Sequence, residues 1–311
     1  NYPDAHRPLI KSVDGLPAKP LTGRDVDALP FMGINHPELR QQSADYYNCM
    51  MRLDSYVGQL LRILKESGKA KDTVVVYIGD HGADVMRGKR TSYEGGVRIP
   101  MIIRWPGGKS GQDRKELVST LDLFPTFCEI AGVKAPRSLV GRSLKPIVEG
   151  KNPKWREYLF TEFHLHSNHN PWPQRTVRDG RHKLIFNPLA GEVNPGYAFT
   201  MSKKFFNAPE DELLAVAPKV VRAAYQLMKK PPRYELYDLR ADPYEFRNLA
   251  ADPIHAKTRD RLIRKLENWQ EETGDALKDP AAARRLFGLI MDAGTSKRKA
   301  LDYSFMAKET K

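Results

Sequence analysis

The apolar pattern of the first third of the chain constrains the fold most, because its period changes from helical to extended. Apolar side chains recur at three- and four-residue steps from Tyr47 to Leu64, which predicts an amphipathic helix that ends near Gly68 and packs on a core. After one turn, residues 73–79 form a short, β-branched apolar run. Such a run predicts a buried strand in a sheet covered on both faces. A helix followed by such a strand indicates an α/β fold.

Further elements divide the chain into two regions. In the first, residues 12–37 read as a long loop, and a strand (100–106) and a helix (120–131) follow the first pair. In the second we expect short strands at 158–163, at 175–186 around an Asp-Gly turn, and at 234–239. We also expect a helix-rich stretch at 209–230 and a final helix at 255–273. We therefore predict a large α/β domain over residues 1–150, and a smaller α+β domain with an antiparallel sheet over 151–311.

Composition excludes several classes of protein. With 41% hydrophobic residues in 311, the chain can bury a core. Two cysteines exclude a disulfide scaffold and a multi-cysteine zinc site, and no apolar run approaches the roughly 18 residues that a membrane span needs. The net charge of +13 favours anionic partners. No nucleic-acid-binding signature accompanies that charge, so we expect neither nucleic acid nor membrane as a partner.

Two short motifs could carry chemistry. Asp80 and His81 directly follow the predicted strand, where α/β sheets place ligand-binding groups, and both side chains can reach a metal. A turn cap or a structural pair is the competing interpretation. Lys89 lies in the segment 87–100, where cations alternate with glycines that allow close backbone approach to an oxyanion. A charged surface loop is the alternative there.

The ordered set of motifs resembles the C-terminal half of a sulfatase of the alkaline phosphatase superfamily. The resemblance is carried by Asp-His-Gly at 80–82, Gly-Lys at 88–89, Tyr-Glu-Gly-Gly-Val-Arg-Ile-Pro at 93–100, Leu-Asp-Leu-Phe-Pro-Thr at 121–126 and Glu-Leu-Tyr-Asp-Leu at 235–239. It implies an alkaline-phosphatase-like sheet sandwiched by helices, a divalent cation that is usually calcium, and a formylglycine nucleophile.

By that resemblance, Asp80 and His81 become metal-site residues, Lys89 the cation that contacts the sulfate, and His6 the group that contacts sulfate or protonates the leaving group. Calcium prefers oxygen ligands, so His81 fits a softer metal or a supporting position better. The sequence departs from the family in two respects. The N-terminal carboxylates expected to complete the metal site are absent from it. Neither Cys49 nor Cys128 lies in the segment that yields formylglycine, and both are expected in the core.

We therefore expect that this sequence represents the C-terminal part of a longer sulfatase, whose N-terminal segment supplies the nucleophile. The strand at 161–162 and the histidines after it are similar to the heparan N-sulfatases, in which this region lines the substrate pocket. That similarity places His166 and Arg175 near a sugar carboxylate or sulfate. A hydrophilic loop with incidental histidines is the competing interpretation.

The predicted function is hydrolysis of sulfate esters or N-sulfate groups, on a sulfated saccharide such as N-sulfoglucosamine. A phosphonate monoester hydrolase or phosphodiesterase of the same superfamily is one alternative, and a non-catalytic polyanion-binding module is another. Family resemblance suggests an exported or lysosomal setting, and a homo-oligomer is left open.

Overall fold

The structure is a computed structural model that describes residues 15–166, 171–202, 207–292 and 304–306. The chain divides into two compact units, each discontinuous in sequence. The first unit contains the described residues within 1–56, 81–98 and 160–311, and the second contains 57–80 and 99–159. The predicted domain boundary near residue 150 stays a prediction.

Helices and strands are mixed along the chain, and the predicted elements occur in the predicted order with further short helices between and after them. The helices are α1 (Pro37–Glu66), α2 (Glu94–Val97), α3 (Leu123–Ile130), α4 (Lys145–Val148), α5 (Pro195–Thr200), α6 (Glu210–Ala215), α7 (Lys219–Lys229), α8 (Ala256–Thr273) and α9 (Pro280–Asp292). The strands are β1 (Val75–Ile78), β2 (Met101–Arg104), β3 (Leu159–Leu165), β4 (Pro171–Arg178), β5 (His182–Phe186) and β6 (Tyr234–Asp238). No helix among the described residues is both long and apolar enough to cross a membrane.

The larger sheet lies in the first unit and has the strand order β3-β4-β5-β6. Strands β4, β5 and β6 pair antiparallel, with Arg175 opposite Phe186 and Leu184 opposite Leu236. The Asp-Gly turn between β4 and β5 closes the hairpin that the sequence predicts. The antiparallel C-terminal sheet is therefore confirmed for these three strands.

The first unit has a large apolar core in which distant parts of the sequence meet. Met32 and Ile34, from the loop that precedes α1, are fully buried there together with Ile185 of β5, Tyr225 of α7 and Tyr237 of β6. A smaller cluster packs Trp172 against residues that include Leu277 and Leu286. The predicted loop before α1 is thus part of the core, although it has no long regular element.

The second unit departs from the expected burial. Strands β1 and β2 form a two-stranded antiparallel sheet, with Val76 opposite Ile103, and all four residues of β1 are only half-buried. The expectation of a strand buried on both faces is wrong for the described residues, because an isolated pair of strands has no covering layer on each face. The apolar run alone predicted the strand correctly, but not its exposure.

The C-terminal half of α1 is also more exposed than its apolar pattern predicts. Its buried residues are confined to the N-terminal part, from Leu39 to Cys49, whereas Leu60 and Leu61 are 65% and 39% exposed. Helix α3 likewise exposes Phe124 and Phe127. The packing expected of α1 is therefore observed for its N-terminal part, whereas its last turns are exposed. Apolar side chains that periodicity alone would bury remain at the surface of this unit.

Candidate functional site

The segment of residues 81–98, here called the cationic segment, belongs to the core of the first unit rather than to its surface. Val85, Met86 and Tyr93 are at most 4% exposed and lie in the large apolar core. The middle of the cationic segment is thus held by packing. A solvated charged loop would not bury side chains of this size, so the surface-loop alternative for Lys89 is wrong.

Close backbone approach fixes the shape of the cationic segment. The amide of Gly82 donates to the carbonyl of Gly96 over 2.9 Å, and the amide of Lys89 donates to the carbonyl of Ala83 over 2.8 Å. A Cβ added at Gly82 would lie 1.7 Å from the carbonyl oxygen of Gly95. The segment therefore closes on itself at a point where only glycine fits.

Glu94 ties the cationic segment to the antiparallel sheet. Its carboxylate accepts from Nη1 of Arg178 at 2.6 Å and from Nζ of Lys183 at 3.1 Å. Lys183 also lies 2.9 Å from the carboxylate of Glu245, which accepts from the backbone amide of Glu94. Lys183 and Glu245 are at most 1% exposed, so this network is a buried one.

Burial and charge shift the pKa values of the two carboxyl groups of this network, Glu94 and Glu245, in opposite directions. Burial acts to raise the pKa of Glu94, but the positive charges of Lys183 and Arg178 outweigh it and hold that pKa below its usual value. For Glu245, burial raises the pKa, and Lys183 offsets only part of the rise.

Arg87 fastens the cationic segment from its other side. Its side chain is 1% exposed, and its guanidinium lies 4.0 Å from the centre of the Tyr93 ring and 4.9 Å from that of Phe246. Nη2 donates to the carbonyl of Glu245 over 2.8 Å. A cation stacked between rings and bonded to a distant carbonyl is a structural anchor. The backbone of Arg87 has a φ of 60°, which packing and these contacts stabilise.

Lys89 lies beside a carboxylate that another residue binds more closely. Nζ of Lys89 is 4.0 Å from Oδ2 of Asp84. The two terminal nitrogens of Arg90 lie 2.5 and 3.0 Å from the two oxygens of the same carboxylate. The Lys89 side chain is 21% exposed, so its ammonium is partly accessible to a ligand.

His166 follows β3 and is influenced electrostatically by the same group of charges. Loss of hydration lowers the pKa of His166, and the positive charges of Arg90 and Lys89 lower it further. Asp84 opposes them, and His81 contributes a smaller lowering. His166 therefore belongs to one electrostatic cluster with His81, Asp84, Lys89 and Arg90, and its ring is neutral at neutral pH.

The predicted metal residues lie at the end of β1. Asp80 and His81 are both exposed, and Nδ1 of His81 donates to the carbonyl of Gly82 over 2.8 Å. A carbonyl oxygen can only accept, so Nδ1 carries a proton in this contact. Among the described residues, no group of three or more His, Cys, Asp and Glu could hold a metal ion.

These donors fit only part of a metal site. Calcium takes six to eight oxygen ligands, and one carboxylate with one imidazole supplies a small share of that number. The described part of the chain therefore does not form a closed metal centre by itself.

Arg175 occupies a different position from the other predicted residues. Its side chain is 1% exposed, and Nε and Nη2 bind the two oxygens of Asp275 at 2.8 and 2.7 Å. Nη2 also donates to Nε2 of His164 over 2.9 Å. A buried guanidinium with these partners forms a structural link between β4 and the turn after α8. The structure does not bring Arg175 to the surface with Lys89.

Three further residues were singled out from the sequence. His6 lies outside the described residues. Cys49 and Cys128 are both buried and form no disulfide among the described residues, as expected of core residues. Sequence reasoning did not single out Asp84, nor the link from Glu94 to Lys183 and Glu245. The position of Asp84 inside a charged, glycine-rich motif was a signal that the sequence offered. The buried network offered no sequence signal, because its members lie about 90 and 150 residues apart in the chain.

Comparison with known proteins places this geometry in a family. A family model described as Sulfatase matches residues 6–133, and one described as N-sulphoglucosamine sulphohydrolase, C-terminal, matches residues 79–193. The human N-sulphoglucosamine sulphohydrolase is 29% identical over 263 residues, which cover 79% of this chain and 51% of that protein. The chain spans about half the length of the curated relatives it matches.

Two solved structures are similar in fold. One, solved in complex with its substrate D-glucosamine-2-N,6-O-disulfate, has a TM-score of 0.52 and 25% identity, and the match covers 76% of this chain and 41% of that one. The other, a phosphonate monoester hydrolase of Agrobacterium radiobacter, has a TM-score of 0.54 and 26% identity, with 75% and 42% covered. The predicted alkaline-phosphatase-like fold class is confirmed by these similarities. The chain belongs to the sulfatase family of the alkaline phosphatase superfamily.

Proposed function

We propose that the protein hydrolyses sulfate esters or N-sulfate groups of a sulfated saccharide such as N-sulfoglucosamine. The similarity to a human N-sulphoglucosamine sulphohydrolase and to a structure that holds a disulfated glucosamine supports this substrate class. The observation that carries the proposal is the position of Lys89, a partly accessible ammonium on a buried, glycine-closed segment.

Lys89 contacts the sulfuryl oxygens in this proposal. A fixed cation in a partly desolvated site stabilises the charge that grows on those oxygens as the bond to sulfur breaks. The packing of the cationic segment holds the ammonium in place before the substrate arrives, so little reorganisation is needed during the reaction.

His166 acts as a neutral hydrogen-bonding group next to Lys89. Its lowered pKa keeps the ring uncharged at neutral pH, so it can donate one hydrogen bond and accept another at a sugar or sulfate oxygen. His6 remains the proposed group that contacts sulfate or protonates the leaving group. Arg175 is proposed to act at a distance, by holding β4 in place through its pair with Asp275.

Family membership implies a metal ion and a formylglycine in general. We propose a divalent cation, Ca²⁺, for which Asp80 and His81 supply part of the ligand set, with His81 as a weak ligand or a supporting group. The nucleophile is a formylglycine in a part of the protein outside this sequence, since Cys49 and Cys128 are buried core residues. An exported setting, periplasmic, extracellular or lysosomal, is proposed from the family resemblance.

The test is a comparison of substrates with the full-length protein. N-sulfoglucosamine, a sulfate ester of a sugar and a phosphate diester are offered separately, and release of inorganic sulfate or of the alcohol is measured. The proposal predicts the highest kcat/KM for one of the two sulfated substrates. A higher kcat/KM for the phosphate diester would favour the phosphoryl-hydrolase alternative, and no turnover of any of the three would favour a binding module.

A further inference from the structure

Three charged side chains share one small region of the cationic segment. Asp84 lies between Lys89 and Arg90, and its carboxylate is within 4.0 Å of both cations. The side chains of Asp84 and Arg90 are 15% and 7% exposed, so the pair that they form is largely withdrawn from water. The accessible cation of the group is Lys89, at 21% exposure.

The distances show which cation holds the carboxylate. Arg90 donates one hydrogen bond to Oδ2 of Asp84 over 3.0 Å, and its other terminal nitrogen lies 2.5 Å from Oδ1. The ammonium of Lys89 is 4.0 Å from Oδ2. A close, hydrogen-bonded guanidinium–carboxylate pair is stronger than a single long ion pair. Asp84 is therefore directed towards Arg90, and the ammonium of Lys89 is left for an external anion.

The side chain of Arg90 is held in position next to Asp84 by its own contacts. Its guanidinium lies 5.2 Å from the centre of the Phe199 ring on α5, and its backbone has a φ of 75°. An aromatic face restricts a planar guanidinium more than it restricts a flexible ammonium. The fold around the cationic segment thus holds Arg90 close to Asp84.

Without Arg90, the carboxylate of Asp84 would be largely buried and unpaired. A desolvated carboxylate requires a counter-charge, and among the described residues the other cation within 4.0 Å of Asp84 is Lys89. Lys89 paired with Asp84 would be a poor site for sulfate, because the incoming anion would have to displace a carboxylate already in place.

We propose that Arg90 is a positioning residue that keeps Asp84 from neutralising Lys89. This inference rests on the proposed role of Lys89 in binding sulfate. It extends that role, because it assigns the availability of the ammonium to a neighbouring ion pair that does not itself touch the substrate.

The test is a set of charge-removing variants of the full-length protein. Arg90→Met, Asp84→Asn, the double variant Asp84→Asn/Arg90→Met and Lys89→Met are compared. The readouts are the Kd of inorganic sulfate by calorimetry and the separate kcat and KM for a sulfated substrate. Thermal unfolding identifies any variant that fails to fold. Arg90→Lys is the conservative variant, which retains the charge but loses the two-point contact.

We expect Arg90→Met to weaken sulfate binding about tenfold, mainly through KM, and Arg90→Lys to weaken it less. The double variant should bind sulfate within about threefold of the unchanged protein, because no carboxylate then competes for Lys89. Rescue of this kind would not follow from loss of stability alone. If Arg90→Met does not fold, the double variant and Arg90→Lys still carry the test.

Provided that Lys89→Met weakens sulfate binding, either of two results would overturn the inference. One is unchanged sulfate affinity in Arg90→Met, and the other is a double variant as weak as Arg90→Met. If instead Lys89→Met leaves the sulfate affinity unchanged, the proposed role of Lys89 itself is wrong. The two failures are therefore distinguishable.

Discussion

At the scale of single residues, the chemistry of the site depends on how neighbouring charges set the state of each group. His166 is exposed in a region where two cations outnumber one carboxylate, and its pKa is lowered first by loss of hydration and then by Arg90 and Lys89. A neutral imidazole next to an ammonium suits an anionic substrate that needs both a charge and a hydrogen bond.

The first prediction concerns this histidine. An NMR titration of His166 should give a pKa below the ordinary value of about 6.5, and Lys89→Met should raise it, because one of the repelling charges is removed. Lys89→Arg is the matched control, which retains the charge and should leave the pKa nearly unchanged. A pKa that does not respond to Lys89→Met would show that the two side chains are not electrostatically coupled.

At the scale of elements, the cationic segment depends on tight backbone packing at Gly82. A Cβ there would lie 1.7 Å from the carbonyl oxygen of Gly95, and the backbone on both sides would have to move. Gly180, in the β4–β5 turn, has no atom within 4 Å of the corresponding Cβ position. The two glycines therefore offer a matched pair of substitutions.

We predict that Gly82→Ala lowers the free energy of unfolding by about 2 kcal/mol or more and reduces sulfate turnover. Gly180→Ala should change stability by no more than about 0.5 kcal/mol. Urea unfolding monitored by circular dichroism measures both. Equal stability of the two variants would mean that the backbone of the cationic segment is not closely packed at Gly82.

Asp238, the last residue of β6, makes the folding stability depend on pH in the acidic range. Hydrogen bonds from Arg181 hold the pKa of Asp238 at about 2, below its ordinary value near 3.8. Because the folded-state pKa is lowered, the stabilisation from this group is present above about pH 4 and is lost as the pH falls through about 2. Arg181→Gln should therefore reduce stability at pH 6 more than at pH 2, as measured by urea unfolding. The same loss at both pH values would contradict it.

The sequence predicted most elements but not their exposure. The period of the apolar residues located α1, α8 and the β4–β5 hairpin, because these patterns are local. It failed for the last turns of α1 and for β1, since burial depends on which layers cover an element. The network of Glu94, Lys183 and Glu245 could not be predicted either, because its members meet only after the chain has folded.

At the scale of the whole molecule, the excess of 13 positive charges favours anionic partners over long distances. Attraction of this kind is screened by salt, because the Debye length falls from about 14 Å at 50 mM to about 4 Å at 500 mM. Binding of a sulfated polysaccharide should therefore weaken at least about tenfold over that range of salt, as measured by fluorescence anisotropy. An affinity that does not change with salt would mean that the net charge contributes little to binding.

For this member of the sulfatase family, the central claim is that the cationic segment presents Lys89 to the sulfate group. The most direct measurement is the release of inorganic sulfate from N-sulfoglucosamine, or from the better sulfated substrate, by the full-length protein and its Lys89→Met variant. We predict that kcat/KM falls by about 100-fold or more while the thermal unfolding midpoint stays within about 3 °C. A kcat/KM within about twofold of the unchanged protein would contradict the account.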